Sequence, residues 1–120
     1  MDIGRELERA MDPKTKRIRE LNDNYRRYGI GNGRTMITTS VQESGIEFIN
    51  KAVSRMRSFD AFTGDNNPHG EHDFGAFEVD EVKCFFKFDY YDLKLENGSE
   101  DPSDPTQTIR VLTLMLAEDY

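Results

Sequence analysis

Apolar positions recur every three or four residues in the first half of the chain and alternate in the second, so the sequence reads as helices followed by strands. Ile3, Leu7 and Met11 fall at i, i+4 and i+8 and predict a short, loosely packed amphipathic helix over residues 1–12. Asp12-Pro13 then reads as a new start, with the aspartate as N-cap and the proline at the first helical position. Ile18, Leu21, Tyr25 and Tyr28 give residues 13–28 a narrow apolar stripe, and Gly29 is placed to end that helix. The Gly29-Ile-Gly-Asn-Gly33 run superficially resembles a phosphate loop. Such loops follow a strand and open a helix, whereas this one follows a helix and precedes the β-branched run Arg34–Thr39, so it reads as a helix stop and turn.

Ser40 with Glu43 three residues on predicts a capping box, and Ser44 with Glu47 repeats it one turn later. Ile49, Ala52, Val53 and Met56 form the apolar face of the helix that follows, through to Phe59, with Phe48 expected to be partly exposed. Thr63–Asp73 is dense in turn formers and carries both histidines, the composition of a loop. Phe74–Val79 and Val82–Tyr90 predict a hairpin around Asp80-Glu81. Within its second strand Val82, Cys84, Phe86, Phe88 and Tyr90 share one face and Lys83, Phe85, Lys87, Asp89 and Tyr91 the other, the pattern of a half-buried strand. Residues 96–106 form an acidic loop from which Pro102 and Pro105 exclude a central strand. Thr108–Ala117 fits a strand or a helix; the β-branched residues at its start favour a strand paired with residues 82–90. The whole predicts one α+β domain over residues 1–120, with two or three helices packed on one face of an antiparallel sheet of three to four strands.

Composition narrows the class. A chain of 120 residues supports one core without metal or disulfide, and the single cysteine, Cys84, permits no internal disulfide and reads as a small core residue. No apolar run approaches the roughly 20 residues that span a bilayer, and Met1–Glu6 lacks a signal-type hydrophobic stretch, so a cytoplasmic protein that does not engage membranes is expected. The net charge of −7 argues against direct binding to duplex nucleic acid, which relies on cations against phosphate. That charge is unevenly spread: residues 1–34 carry +3 and residues 35–120 carry −10, with eleven acidic and three basic side chains in residues 71–104. Solubility accounts for an acidic surface, and so does a face shaped for a basic protein partner, with Glu96, Glu100, Asp101, Asp104 and Tyr91 as its contact residues.

Four motifs in order bear a resemblance to a known family. They are Asn66-Asn-Pro-His-Gly-Glu-His-Asp-Phe-Gly75, Phe88-Asp-Tyr-Tyr-Asp92, Asp101-Pro-Ser-Asp-Pro105 and Arg110-Val-Leu-Thr-Leu-Met-Leu-Ala117. Over about residues 17–120 the chain resembles the domain of unknown function 3768 family, small proteins mostly of alphaproteobacteria and their plasmids and phages. Asn67 stands where the family pattern has aspartate, and Leu114 where it has isoleucine. The resemblance implies no activity; by association with mobile elements it implies a role in transfer or in countering host defence.

Candidate chemistry gathers in the histidine loop. His72 lies between Glu71 and Asp73, with His69 three residues back and Asp89 on the strand that returns from the hairpin. An imidazole beside carboxylates is the raw material of a general base, and His69 with His72 and one carboxylate would supply a catalytic zinc's usual three protein ligands. The competing reading is structural: His72 and Asp73 bond the loop backbone and fix the entry into the first hairpin strand. Asp89 is expected to serve as a polar partner for His72 or Arg110, or to be an ordinary strand end. No cofactor is implied. The leading expectation is a small acidic, non-enzymatic accessory protein that binds another protein and inhibits it; the alternative is a small hydrolase or nuclease-like enzyme using His72 with Glu71, Asp73 or Asp89. Convergence of His72, Asp73 and Asp89 in a cleft would favour the enzyme.

Overall fold

The computed structural model describes residues 11–120, so the helix expected over residues 1–12 lies outside the described residues apart from its last two positions. Helix α1, Pro13–Tyr28, begins where the Asp12 carboxylate accepts the Thr15 backbone N–H at 3.1 Å. It ends at Gly29, whose φ of 68° is a left-handed conformation open to glycine at no steric cost. Strand β1, Gly33–Ile37, follows, then a short helix α2, Thr39–Glu43, and helix α3, Ile46–Ser58.

The expected single helix from Ser40 is therefore two. Gly45, at φ 95°, breaks it, and Thr38 rather than Ser40 is the residue preceding α2. Ser40 Oγ instead donates to the Asp119 carboxylate at 2.6 Å, and Thr38 Oγ1 donates to it at 2.9 Å. Restarting at Ile46 turns Phe48, Ala52 and Met56 onto the sheet as one i, i+4, i+8 line. Phe48, expected to be partly exposed, is thus buried, and Ile49 and Val53 flank the contact. On α1 the buried line is Ile18, Asn22 and Arg26; Leu21 is only half-buried and Tyr28 is exposed, so two of its three inward residues are polar.

Strands β2 (Phe74–Val79), β3 (Val82–Tyr91) and β4 (Ile109–Leu116) complete a sheet of order β1-β4-β3-β2. Asp80 and Glu81 both take positive φ, the geometry of a two-residue hairpin turn matched to strand twist. The segment that fitted strand or helix is a strand, and it pairs antiparallel with β3 as expected. The α+β architecture holds, with one correction. β1 joins β4 in parallel, from Gly33 beside Arg110 to Ile37 beside Leu114, so the sheet is mixed rather than wholly antiparallel. The chain leaves β1 through α2 and α3, which cross one face before β2 starts at the opposite edge.

On that inner face Cys84, Phe86 and Phe88 stand beside Leu116, Leu114 and Leu112, under Val41, Phe48, Ala52 and Met56. Burial pushes the Cys84 thiol up, as suits a core residue rather than a nucleophile. A Cβ on Gly75 would collide with the Phe86 ring, so glycine is required where β2 crosses that side chain. The Phe86→Ala variant is expected to lose about 3–5 kcal/mol in denaturant unfolding, and Cys84 to resist thiol reagents until the chain unfolds. Rapid labelling of the native protein would contradict this core.

Candidate functional site

The histidine loop is strapped to α1 by successive backbone and side-chain bonds. Arg19 Nε donates to the Gly70 carbonyl at 2.8 Å and Asn22 Nδ2 to the Glu71 carbonyl at 3.1 Å. Beside them on α1, Asp23 meets the imidazole: His72 Nδ1 lies 3.0 Å from both of its carboxylate oxygens. A carboxylate only accepts, so Nδ1 carries the proton in this pair. His72 adopts φ 56°, and its backbone N–H donates to Asn67 Oδ1 at 2.9 Å, a bond that asparagine makes as well as the aspartate of the family pattern. Its ring stacks on Phe62 with centroids 3.8 Å apart and planes within 2°.

Asp23 also accepts from Arg26 Nη2 at 3.3 Å. Arg26 is 1% exposed, and its Nη1 donates to the carbonyls of Met56, Arg57 and Phe59 at 2.8, 3.2 and 2.9 Å. These belong to the last turn of α3 and the residue after it, where helix carbonyls lack intrahelical partners and the dipole favours a cation. The guanidinium lies 5.4 Å from the Phe62 ring centroid and 5.1 Å from that of Phe86. Burial pushes the Arg26 pKa below the ordinary guanidinium value, and Asp23 opposes that shift.

A second set of bonds radiates from Asn22, which is fully buried. Its Nδ2 donates to Tyr90 Oη at 2.8 Å as well as to the Glu71 carbonyl, and its Oδ1 accepts from Arg110 Nε at 2.8 Å. Tyr90 Oη donates to Glu71 Oε1 at 2.7 Å. Burial, and then that bond to a carboxylate, pushes the Tyr90 hydroxyl pKa strongly upward. Arg110 lies 5.4 Å from the Tyr90 ring centroid and donates to the Pro102 carbonyl, which pins the Asp101–Pro105 motif to the same hub.

This geometry separates the candidate catalytic residues. Glu71 and His72 turn toward α1, while His69, Asp73 and Asp89 line a groove beside the opposite face of the sheet. Asp89 bonds Lys87 at 2.7 Å rather than His72 or Arg110, because strand alternation points residue 89 away from residues 88 and 90. His69 and His72 therefore do not share a site, and among the described residues no group of three His, Cys, Asp or Glu could hold a metal ion. An imidazole oriented through Nδ1 by a carboxylate is arranged to accept a proton at Nε2. No serine, threonine or cysteine side chain hydrogen-bonds to it among the described residues. Asp23 is the residue that sequence reasoning missed; it lies 49 positions from its histidine, and nothing in the spacing links the two.

The acidic loop between β3 and β4 is built by its own aspartates. Asp92 accepts the backbone N–H groups of Lys94 and Glu96 at 3.2 and 3.1 Å. Asp101 accepts the Ser103 N–H at 3.1 Å and pairs with Lys14 at 3.6 Å, and Asp104 accepts from Thr106 N and Gln107 Nε2 at 2.9 and 2.8 Å. The bond from the Glu96 N–H, the Ser103 hydroxyl and the Thr106 hydroxyl are the leading causes that hold Asp92, Asp101 and Asp104, respectively, below the ordinary aspartate value. Of the expected partner-binding residues, Asp101 and Asp104 thus shape the loop, and Tyr91 is half-buried on the outer face with an isolated bridge to Gly98. Glu96 and Glu100 are exposed and form no ion pair among the described residues.

His72→Ala is expected to lose about 1.5–3 kcal/mol, the usual contribution of a hydrogen bond to a charged group, read from denaturant midpoints. A variant that melts like wild type yet loses a measured activity or a bound metal would reverse the structural assignment. The acidic loop is expected to loosen in acid, because aspartates with depressed pKa values contribute stability above their unfolded value of 3.8 and lose it as pH falls through the folded values. Amide protection at Glu96, Ser103 and Thr106, corrected for intrinsic exchange and followed from neutral pH to below 3.8, should fall relative to that of the core strands; unchanged relative protection would refute it.

The model of the family described as "Protein of unknown function (DUF3768)" matches residues 37–119. No curated protein and no solved structure matches the chain. The match begins later than residue 17, where the motif resemblance starts, so Asn22, Asp23 and Arg26 lie upstream of it while His72, Tyr90 and Arg110 lie inside. It takes in all four motifs and every element from α2 to β4, and on that span the chain belongs to the DUF3768 family.

Proposed function

We propose that the protein is a non-enzymatic binding domain that docks a basic protein partner on the acidic end of its sheet and inhibits it. The observation that carries this reading is the pair Glu96 and Glu100, exposed and without an ion-pair partner among the described residues, on a loop already ordered by Asp92, Asp101 and Asp104. A preordered loop loses little entropy on docking, and unpaired carboxylates attract a cationic surface over a Debye length of about 8 Å. Supporting it from the other side, His72 and Glu71 are engaged with Asp23 and Tyr90 rather than turned into a cleft. In this proposal the partner is a host-defence or nucleic-acid-binding protein and the chain an accessory factor of mobile elements.

A second reading, a small hydrolase or nuclease-like enzyme, is favoured by the imidazole of His72, which Asp23 orients as a general base would be. The two separate by variant. Glu96→Lys with Glu100→Lys is expected to abolish capture of a basic partner from host lysate at low salt, while thermal melting stays within about 0.5 kcal/mol of wild type, as for ordinary surface changes. A partner retained equally by wild type and variant, and equally at low and high salt, would overturn the acidic-end reading.

A further inference from the structure

The outer face of the sheet carries an aromatic cluster that no α-helix covers among the described residues. Phe74 of β2 and Phe85 of β3 lie 5.0 Å apart, and Tyr120 folds back over both with centroids 6.3 and 5.8 Å away. Between this cluster and the turn at Asp65–His69 runs a groove of about 680 Å³. Its polar rim is formed by Asp65, Asp73, His69 and the Lys87–Asp89 pair.

We propose that this groove takes an arginine side chain of the basic partner, and so acts as the anchor of the docking surface; the inference rests on the function proposed above and names its ligand chemistry. Three observations point the same way. Ring faces attract cations, and the chain's own Lys83 already places its ammonium 5.5 Å from the Phe85 centroid, leaving Phe74 and Tyr120 for an incoming one. Asp65 and Asp73 have no cation within ion-pair distance among the described residues, whereas Lys87 is neutralised by Asp89 at 2.7 Å, so the rim is left with net negative charge. A planar guanidinium stacks on a ring while its N–H fork donates to a carboxylate, which matches aromatic walls under an acidic rim. An apolar occupant would instead bury both carboxylates without partners, at a large desolvation cost.

An NMR titration of the full chain with an acetylated hexa-arginine peptide, with hexa-glutamate as control, tests the proposal. Amide shifts are expected at Asp65, Asp73, Phe74, Phe85 and Tyr120. Binding is expected to weaken about tenfold, one step on the affinity scale, in Asp65→Asn/Asp73→Asn and again in Tyr120→Ala, a residue that is 78% exposed and outside the core. Shifts confined to the loop of Glu96 and Glu100 would overturn the groove and leave the acidic end as the docking site. Absence of binding would overturn both, and an affinity unchanged in both variants would overturn the groove alone.

Discussion

Arg26 holds a full positive charge in a place with almost no water, and the chain around it is arranged to make that tolerable. Three carbonyls at the end of α3, one carboxylate from its own helix and two aromatic rings surround the guanidinium. Taking such a group out of water costs several kcal/mol even after relaxation, so its partners must be in place together. Its Nε remains without a partner, a residual cost that the other bonds offset. An arrangement of this kind adds little net stability over an apolar core of equal volume. What it adds is positional: α1, the end of α3, Phe62 and, through Asp23, the histidine loop have one common geometry that satisfies them all.

Asn22 has the complementary, uncharged role a turn earlier on α1. Its amide reaches the histidine loop, β3 through Tyr90 and β4 through Arg110, and Arg110 extends the reach to Pro102. The residues of the family's four motifs thus meet largely as a scaffold, with Glu71, His72, Tyr90, Arg110 and Pro102 tied to a helix that lies upstream of the matched segment. Among the side chains that this scaffold does not use are Glu96 and Glu100 on the loop, and Asp65, Asp73, Phe74 and Tyr120 around the groove.

Local chemistry is legible in the residues, and long-range polar chemistry is not. The Asp12 cap, the Gly29 stop, the Asp80-Glu81 hairpin and the alternation through Cys84, Phe86 and Phe88 each depend on residues within a few positions, and each stands as expected. The inward line of α1 escapes such reading because periodicity counts apolar side chains, and Asn22 and Arg26 are buried by partners that lie 30 to 88 positions away. Phe48 departs from expectation because Gly45 splits a segment whose capping pattern reads as continuous. The same limit applies to the candidate site: neighbours in sequence, His72, Asp73 and His69, face different sides, while the true companion of the imidazole sits on another element.

The parallel edge has a consequence for how the chain reaches this state. β2 and β3 close through a two-residue turn, and β4 returns to β3 after a loop whose own aspartates order it, so these three strands assemble from contacts of modest sequence separation. β1 finds its register only by meeting β4, with Gly33 set beside Arg110 across most of the chain. Loop-closure entropy for that meeting is lost before any ladder bond compensates it, which argues for edge docking late in the folding sequence. β1 leaves the ribosome well before β4 and has no strand to pair with until residues 109–116 follow, whereas α1 already has the end of α3 and the histidine loop to pack against.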